Sequence, residues 1–518
     1  LTIPALTARA CESFGERLAV IDGDSQLTFA ELHDAAKAFG AALVARGVEM
    51  GDRVAIWAPN SIEWVVAILG LFEAGATLVP VNTRFKGREA AEILARSQAR
   101  VLVTVTDFLG TDYVAALRGA EVDLPSLDTV VVARGPIPDR TTSWSDFLAA
   151  AGGSDRAEVD RRALAVSDDD VSDILFTSGT TGVAKGVVQT HGRTLGVATD
   201  WVLMTGMAAG DRYLMVNPYF HMFGLKAGIL ASLVAGATML PEPVFEVERV
   251  LQRVADERVT VLPGAPTIYQ SILDHPDRAQ YDLSSLRIAV TGAADIPVEL
   301  IRRIIDELPF PTVIAGYGLT EGGTAAATAP GDDVETIATT VGRPRPGFEL
   351  RIVDRDGADR PTGEPGEILL RSQTVMSHYL DDPDATAEVL TPDGWLRTGD
   401  LGELDGHGNL RIVGRVKDMF IVGGFNAYPA EIENALLRNP DIQQAAVIGV
   451  PDQRLGEVTM AFVVLRPGST TSGEDIITWS RQQMANYKVP RKVELVDELP
   501  LNAAGKVVKD LLRQRASP

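Results

Sequence analysis

The sequence predicts an α/β fold in which a large N-terminal domain of layered α/β lobes carries a small β-rich unit and is followed by a small C-terminal α/β domain. Three observations predict it. The chain has 518 residues, too many for one core of ordinary size, so at least two domains are expected. Short apolar runs of strand character alternate with longer runs at helical spacing through most of the chain, the pattern of layered α/β structure. After Val341 short β-like runs are divided by Gly, Asp and Pro, and the alternation resumes after Lys417.

The elements follow in order. Leu18–Asp22 is a strand that ends at the Gly23-Asp24 turn. Thr28 and Glu31 stand at capping-box spacing, where hydroxyl and carboxylate each satisfy a free backbone donor. Leu32, Ala35, Ala36, Phe39 and Leu43 then recur at helical spacing, and Gly47 stops that helix. Residues 54–57 form an apolar strand. The longest apolar run, 64–81, is interrupted by Gly70, Glu73 and Gly75, and reads as a core helix running into a buried strand at 77–81. Residues 133–170 are rich in Gly, Pro, Asp and Ser and are expected to form surface loops that separate two lobes. Strands at 259–262 and 286–291 and a helix starting near Pro297 come next. Glu349–Val353, Gly366–Arg371 and 410–413 form the β-rich unit. Arg415-Val416-Lys417-Asp418 marks the boundary between domains 1–416 and 417–518. Beyond it lie the strand Phe420–Val422, a helix at 429–437 with Pro429 in its first turn, strands at 445–450 and 459–465, and a helix at 476–483.

Composition excludes several classes. Hydrophobic residues at 46% and charged residues at 23% are ordinary for a globular chain, which argues against disorder or fibre. A net charge of −22 argues against a nucleic-acid partner, which needs a basic footprint, yet allows a local anion site. The single cysteine, Cys11, can form neither an internal disulfide nor a zinc cluster, and fits a cytoplasmic location. Residues 1–10 lack a basic stretch followed by an apolar run, so no secretory signal is expected, and the interruptions in the run 64–81 argue against an integral membrane span.

Five segments carry chemistry. In Thr177-Ser178-Gly179-Thr180-Thr181-Gly182-Val183-Ala184-Lys185, glycines let backbone N–H groups converge on an anion, hydroxyls donate further hydrogen bonds, and Lys185 adds charge. A strand at 174–176 enters the loop and Val187-Val188 leaves it, so alone the segment also suits a polar hairpin. Gly186 stands where a Walker loop needs Ser or Thr, and no helix follows directly. In Gly316-Tyr317-Gly318-Leu319-Thr320-Glu321, the aromatic ring can lie on a base, Thr320 can donate to phosphate, and Glu321 offers a hard oxygen for Mg²⁺. Alone, this segment also suits a strand end and turn. Thr398-Gly399-Asp400 places a carboxylate at a tight turn, where it could accept ribose hydroxyls or simply cap the turn. Arg415 is a further ribose or phosphate candidate, or one half of a solvated charge pair. Lys506 follows Gly505 near the chain end, and alone would be an ordinary surface residue.

Taken in this order, the segments resemble the adenylate-forming superfamily of acyl-CoA synthetases, peptide-synthetase adenylation domains and firefly-type luciferases, over essentially the whole chain. The resemblance implies that residues 177–185 grip pyrophosphate, that Gly292, Ala293 and Ala294 line adenine, and that Tyr317 stacks on it. Thr320 would touch the α-phosphate, Glu321 would help hold Mg²⁺, and Asp400 and Arg415 would hold the ribose. Lys417 matches the hinge of a mobile C-terminal domain, Gly423 and Gly424 border the pantetheine tunnel, and Lys506 is the mobile catalytic lysine. Ala184 departs from the family's usual proline, which should loosen the loop slightly without removing a donor.

The implied reaction joins a carboxylic acid to ATP as an acyl-adenylate, then to coenzyme A, with release of AMP and pyrophosphate. No Asp stands in Pro218-Tyr219-Phe220-His221-Met222-Phe223-Gly224 where amino-acid-activating relatives place one, so an acyl acid is expected, with His221 and Gly316 at its pocket. The texture resembles actinobacterial ligases of the fatty-acid-degradation type. That resemblance implies a medium-chain or cyclic aliphatic acid, with a propanoate on a bicyclic sterol-ring fragment among the candidates. A carrier-protein ligase, a luciferase-like monooxygenase and a non-catalytic nucleotide sensor remain the other readings. The resemblance also leaves room for a homodimer and for a lysine acetyltransferase acting on Lys506.

Overall fold

Thr28 and Glu31 start the first long helix as the capping box predicts. Glu31 N donates to Thr28 Oγ1 at 3.2 Å and Thr28 N donates to Glu31 Oε2 at 2.8 Å. The structure, a computed structural model, describes residues 1–177, 184–292, 298–422, 425–452, 454–501 and 507–516. The capped helix, Phe29–Ala45, buries Leu32, Ala36, Phe39 and Leu43 and packs on the helix Ile62–Glu73. A Cβ on Gly70 would lie 2.4 Å from the Ala36 carbonyl oxygen, so glycine there lets the two backbones approach. Glu73, the charge inside the apolar run, is 2% exposed and faces His33 Nε2 at 3.4 Å. The run therefore ends as predicted, in the buried strand Thr77–Pro80. Among the described residues no helix is long and apolar enough to cross a membrane.

Thr77–Pro80 belongs to an eight-stranded sheet. Its spatial order is His378–Tyr379, Lys185–Thr190, Val171–Thr177, Thr77–Pro80, Arg53–Trp57, Val101–Val105, Thr129–Arg134 and Thr142–Ser143. The pairings from Val171–Thr177 through Thr142–Ser143 are parallel, whereas Lys185–Thr190 and His378–Tyr379 each join antiparallel. Two four-stranded sheets lie beside it. One runs Arg212–Met215, Thr238–Pro241, Leu18–Asp22, Ser25–Thr28; the other runs Ile288–Gly292, Thr312–Leu319, Gly323–Ala327, Arg343–Pro344. The strand expected at 259–262 is reduced to Val261, which bridges Tyr213 and Ile288 and so connects these two sheets.

Residues 133–170 do not separate two lobes. They hold the helices Trp144–Ala149 and Gly153–Ala165, and the strands on either side, Thr129–Arg134 and Val171–Thr177, share one sheet. Gly153–Ala165 imitates a loop in sequence because Val159 is its only buried residue and charge covers the rest. Arg162 anchors it, donating to the Val48 carbonyl at 2.7 Å. The β-rich unit is a four-stranded antiparallel sheet of Glu349–Val353, Gly366–Arg371, Leu396–Leu404 and Leu410–Arg415. Its third strand was hidden because Thr398-Gly399-Asp400 reads as a turn.

After Phe420 a five-stranded sheet pairs only with itself. Strict alternation along Ile442–Asp452 and Gly456–Leu465 gives it two cores. Val447, Ala461 and Val463 face the helices Pro429–Leu436 and Gly473–Gln483, whereas Ile448, Met460 and Phe462 pack toward Leu512 of Lys509–Ala516.

Among the described residues one ionic contact is wholly buried. Lys226 Nζ lies 3.0 Å from Asp173 Oδ1, and both side chains have 0% exposure. Asp173 Oδ2 also accepts from Ser172 Oγ and Thr194 Oγ1, each at 2.6 Å. Lys226 sits in a π-helical turn, Leu225–Leu230, Asp173 in the strand Val171–Thr177, and Thr194 in the helix His191–Thr205. Breaking such a pair strands a buried charge, whereas replacing both partners with apolar groups can be nearly neutral. Lys226→Met alone should therefore lower unfolding free energy by about 3–5 kcal/mol in urea titrations, and Asp173→Leu with Lys226→Met should recover most of that loss.

His191, at the start of the same helix, is buried against Phe72, and its Nδ1 accepts from Ile3 N at 3.3 Å. Burial pushes its pKa down to about 4, against partial opposition from Asp173 and Asp170. The unfolded chain thus takes up a proton first. The His191 contribution to stability should be complete above about pH 6.5, fall by up to roughly 3 kcal/mol as pH drops from there to about 4, and change little below. In His191→Gln, urea titrations should show a shallower decline across that window.

Candidate active site

The strands on either side of the phosphate-loop candidate pair with each other. Val171–Thr177 and Lys185–Thr190 pair antiparallel, with Thr177 opposite Lys185, and Thr177 Oγ1 donates to the Lys185 carbonyl at 3.5 Å. Ser178, Gly179, Thr180, Thr181 and Gly182 lie outside the described residues. The base of the loop is braced from the helix Gly87–Ser97: Arg96 Nη1 donates to the Ala184 carbonyl, and its guanidinium lies 5.2 Å from the Phe176 ring centroid. The backbone at Ala184, where proline is absent, is thus tied by its oxygen.

Lys185 projects over an aromatic ring, with Nζ 5.0 Å from the Tyr379 centroid. The Tyr379 hydroxyl donates to Glu321 Oε1 at 2.9 Å. Burial and the Glu321 charge hold that phenol well above its ordinary pKa. Glu321 lies with Thr320 in the turn between Thr312–Leu319 and Gly323–Ala327. Its carbonyl accepts from Met376 N at 2.7 Å, and the next carbonyl, of Gly322, accepts from Thr374 Oγ1 at 2.9 Å. Burial raises the Glu321 carboxyl above its usual range; Asp400 adds to that shift and Arg415 opposes it.

A second cluster forms around Asp400, which is 8% exposed. Tyr317 donates its hydroxyl to Asp400 Oδ2 at 2.7 Å, and Arg415 Nε lies 3.1 Å from Asp400 Oδ1. Asp400 and Arg415 are direct partners across the Leu396–Leu404 and Leu410–Arg415 pairing. Burial, then the Asp400 charge, pushes the Tyr317 phenol well above its ordinary range. Gly292 and Gly316 are paired on neighbouring parallel strands, and a Cβ on Gly292 would meet the Gly316 carbonyl oxygen at 2.6 Å. Tyr317 is followed by a register shift before Gly318. Ala293 and Ala294 lie outside the described residues.

The remaining candidates fall elsewhere on the scaffold. His221 caps the short helix Met222–Gly224, its Nδ1 accepting from Phe223 N at 3.2 Å, and Phe223 packs edge-on against Trp201. This helix leads directly into the π-helical turn that carries Lys226. Lys417 is exposed in the turn after Leu410–Arg415, beside Asp418, which pairs with Arg513 at 2.8 Å. Gly423, Gly424 and Lys506 lie outside the described residues. Sequence reasoning missed Tyr379 and Arg96. Tyr379 stands on a two-residue strand with no periodicity, and Arg96 looks like any charge on a helix surface.

Chemically, the described part of the site offers one cation at the loop's exit, one half-buried carboxylate and a carboxylate–guanidinium pair, with a phenol donating to each carboxylate. Mg²⁺ is commonly held by one or two carboxylates, with substrate phosphates and waters as its other ligands. A lone, half-buried Glu321 fits that donor set. Among the described residues no cluster of three or more His, Cys, Asp or Glu forms an all-protein metal cage.

Such a constellation on layered α/β sheets defines an enzyme that handles a nucleotide. The chain belongs to the AMP-binding enzyme family: the family pattern matches residues 7–380, and the AMP-binding enzyme C-terminal domain matches residues 431–506. It is 50% identical, over 99% of its length and 98% of the relative's, to the 3-[(3aS,4S,7aS)-7a-methyl-1,5-dioxo-octahydro-1H-inden-4-yl]propanoyl:CoA ligase of Rhodococcus jostii RHA1. The ligase of the same name from Mycobacterium tuberculosis H37Rv is also 50% identical, over 99% of this chain and 98% of that one. The crystal structure of the anthranilate CoA ligase AuaEII with anthranoyl-AMP superposes with a TM-score of 0.89 at 30% identity, covering 100% of this chain and 97% of that one.

Gly292→Ala tests the closeness of the paired strands. The added methyl meets backbone, which cannot swing aside, so the variant should lose about 1–3 kcal/mol of stability in urea titrations.

Proposed function

We propose that this AMP-forming acid–thiol ligase, which uses ATP and coenzyme A, activates a propanoate side chain carried on a bicyclic sterol-ring fragment. The observation that carries the reading is 50% identity across nearly the whole chain to two ligases named for a propanoyl group on a dioxo-octahydroindene. The aromatic residues beside His221, with Phe223 packed edge-on against Trp201, support a bulky apolar acid over an amino acid.

The site residues take roles that follow from their chemistry. The loop 177–185, with Lys185 at its exit, grips the β- and γ-phosphates. Tyr317 lies against adenine with Gly292, Ala293 and Ala294 lining the same slot. Asp400 accepts from the ribose hydroxyls, and Arg415, paired with that carboxylate, aims it and holds the ribose beside it. Thr320 donates to the α-phosphate. Glu321 is the carboxylate that holds Mg²⁺, which when bound offsets phosphate charge. Gly316 and His221 border the acid.

The acid's carboxylate attacks the α-phosphorus and pyrophosphate leaves. Charge gathers on the phosphoryl oxygens, where Lys506 and Thr320 donate. The chain divides into domains 1–416 and 417–518, and rotation about Lys417 withdraws Lys506 and opens the Gly423-Gly424 passage to coenzyme A. The thiol then attacks the acyl carbon, the C–O bond to phosphate breaks, and AMP departs. Acetylation of Lys506 would remove its charge and stop the first step.

Pyrophosphate release across a panel of acids, with and without coenzyme A, tests the reading. The bicyclic propanoate should give the highest kcat/KM, and AMP formation should depend on coenzyme A; a preference for straight-chain acids would refute the substrate. Lys506→Ala should slow adenylation about 100-fold or more while sparing thioester formation from supplied acyl-adenylate. Lys417→Pro should do the reverse.

A further inference from the structure

Tyr379 touches two site residues by two different interactions, and no role above uses it. Lys185 Nζ stands 5.0 Å from its ring centroid and Glu321 Oε1 accepts from its hydroxyl at 2.9 Å. The fold, not the site, sets where this ring goes. Tyr379 is 6% exposed and pairs with Val187 of the loop's exit strand. Tyr379 N donates to Thr386 Oγ1 at 2.9 Å, Leu380 N to the Gly186 carbonyl at 2.7 Å and Ser377 N to the Val188 carbonyl at 3.0 Å.

We propose that Tyr379 is a positioning residue that couples the loop cation, Lys185, to the Glu321 carboxylate. The inference rests on the roles given to those two residues under the proposed function. A lysine is a point charge on a flexible stem, and an aromatic face restricts where its ammonium can dwell. A phenol donating to a carboxylate gains electron density, which strengthens the attraction of its face for a cation. The two contacts therefore reinforce each other. The ring also gives each charge a partner that does not neutralise it: among the described residues no ion pair joins Lys185 to Glu321. Both charges stay available to a nucleotide and its metal, and both are already oriented when it arrives.

The test is a double-mutant cycle on nucleotide affinity, run in the full-length enzyme without acid or coenzyme A. Mg-ATP binding is measured by calorimetry for Lys185→Met, Glu321→Met and the pair, first with Tyr379 and then in Tyr379→Phe. With Tyr379 the double variant should lose about threefold less affinity than the product of the two single losses; in Tyr379→Phe the losses should multiply. Tyr379→Phe alone should raise the KM for ATP about three- to tenfold while leaving the KM for the acid and the unfolding midpoint near wild type. Multiplying losses in both backgrounds would overturn the coupling. So would a Tyr379→Phe variant whose two KM values and unfolding midpoint shift together, because that marks a packing role. Since the cycle uses no acid, failure to find a substrate acid would sink the functional reading without touching this result.

Discussion

Three elements of this fold are tied together by the buried contact between Lys226 and Asp173. The strand Val171–Thr177 leads into the phosphate-loop hairpin, the helix His191–Thr205 leaves it, and the π-helical turn Leu225–Leu230 continues from the His221 cap. Apolar packing alone would let these elements slide by fractions of a turn at little cost. An ion pair with 0% exposure on both sides does not, because any shift leaves a charge without solvent or partner. Ser172 and Thr194 complete the arrangement by donating to the other Asp173 oxygen. The proposed acid side and the proposed phosphate side of the site thereby share one reference point in the core.

Around the proposed nucleotide site, the same problem is solved with weaker means. Burial, and to a smaller degree the Asp400 charge, raises the Glu321 carboxyl above its usual range. Each of these two carboxylates is met by a phenol, Tyr379 and Tyr317, and Asp400 also by Arg415. A tyrosine hydroxyl steadies a carboxylate without cancelling its charge, so both groups remain able to accept from a ligand. Arg415, only half covered, supplies the one full counter-charge where a neutral ribose is the proposed guest.

Much of this was legible in the sequence, and unevenly so. The Thr28 capping box, the apolar run 64–81 and the strands that bound the hairpin were plain because local spacing encodes them. Lys185, Tyr317, Glu321, Asp400 and Arg415 stood out as candidates through their order along the chain, which is more specific than any one of them. Residues 133–170 misled because a surface helix with a single buried residue, Val159, has the composition of a loop. The strand that carries Asp400 was hidden by its own Thr-Gly-Asp turn chemistry. Tyr379, Arg96 and the partnership of Lys226 with Asp173 could not be read at all. Each depends on contacts between segments far apart in sequence, and nothing in the neighbouring residues encodes the partner.

The strand that positions Tyr379 has another consequence. The eight-stranded sheet ends at one side in His378–Tyr379 and at the other in Thr142–Ser143, each only two residues long. A sheet this wide, with long exposed margins, would offer unpaired N–H and C=O groups as a template for another chain. Two-residue margins offer almost none, so the same short segment that aims a side chain into the site also protects a large hydrophobic sheet from edge-to-edge aggregation.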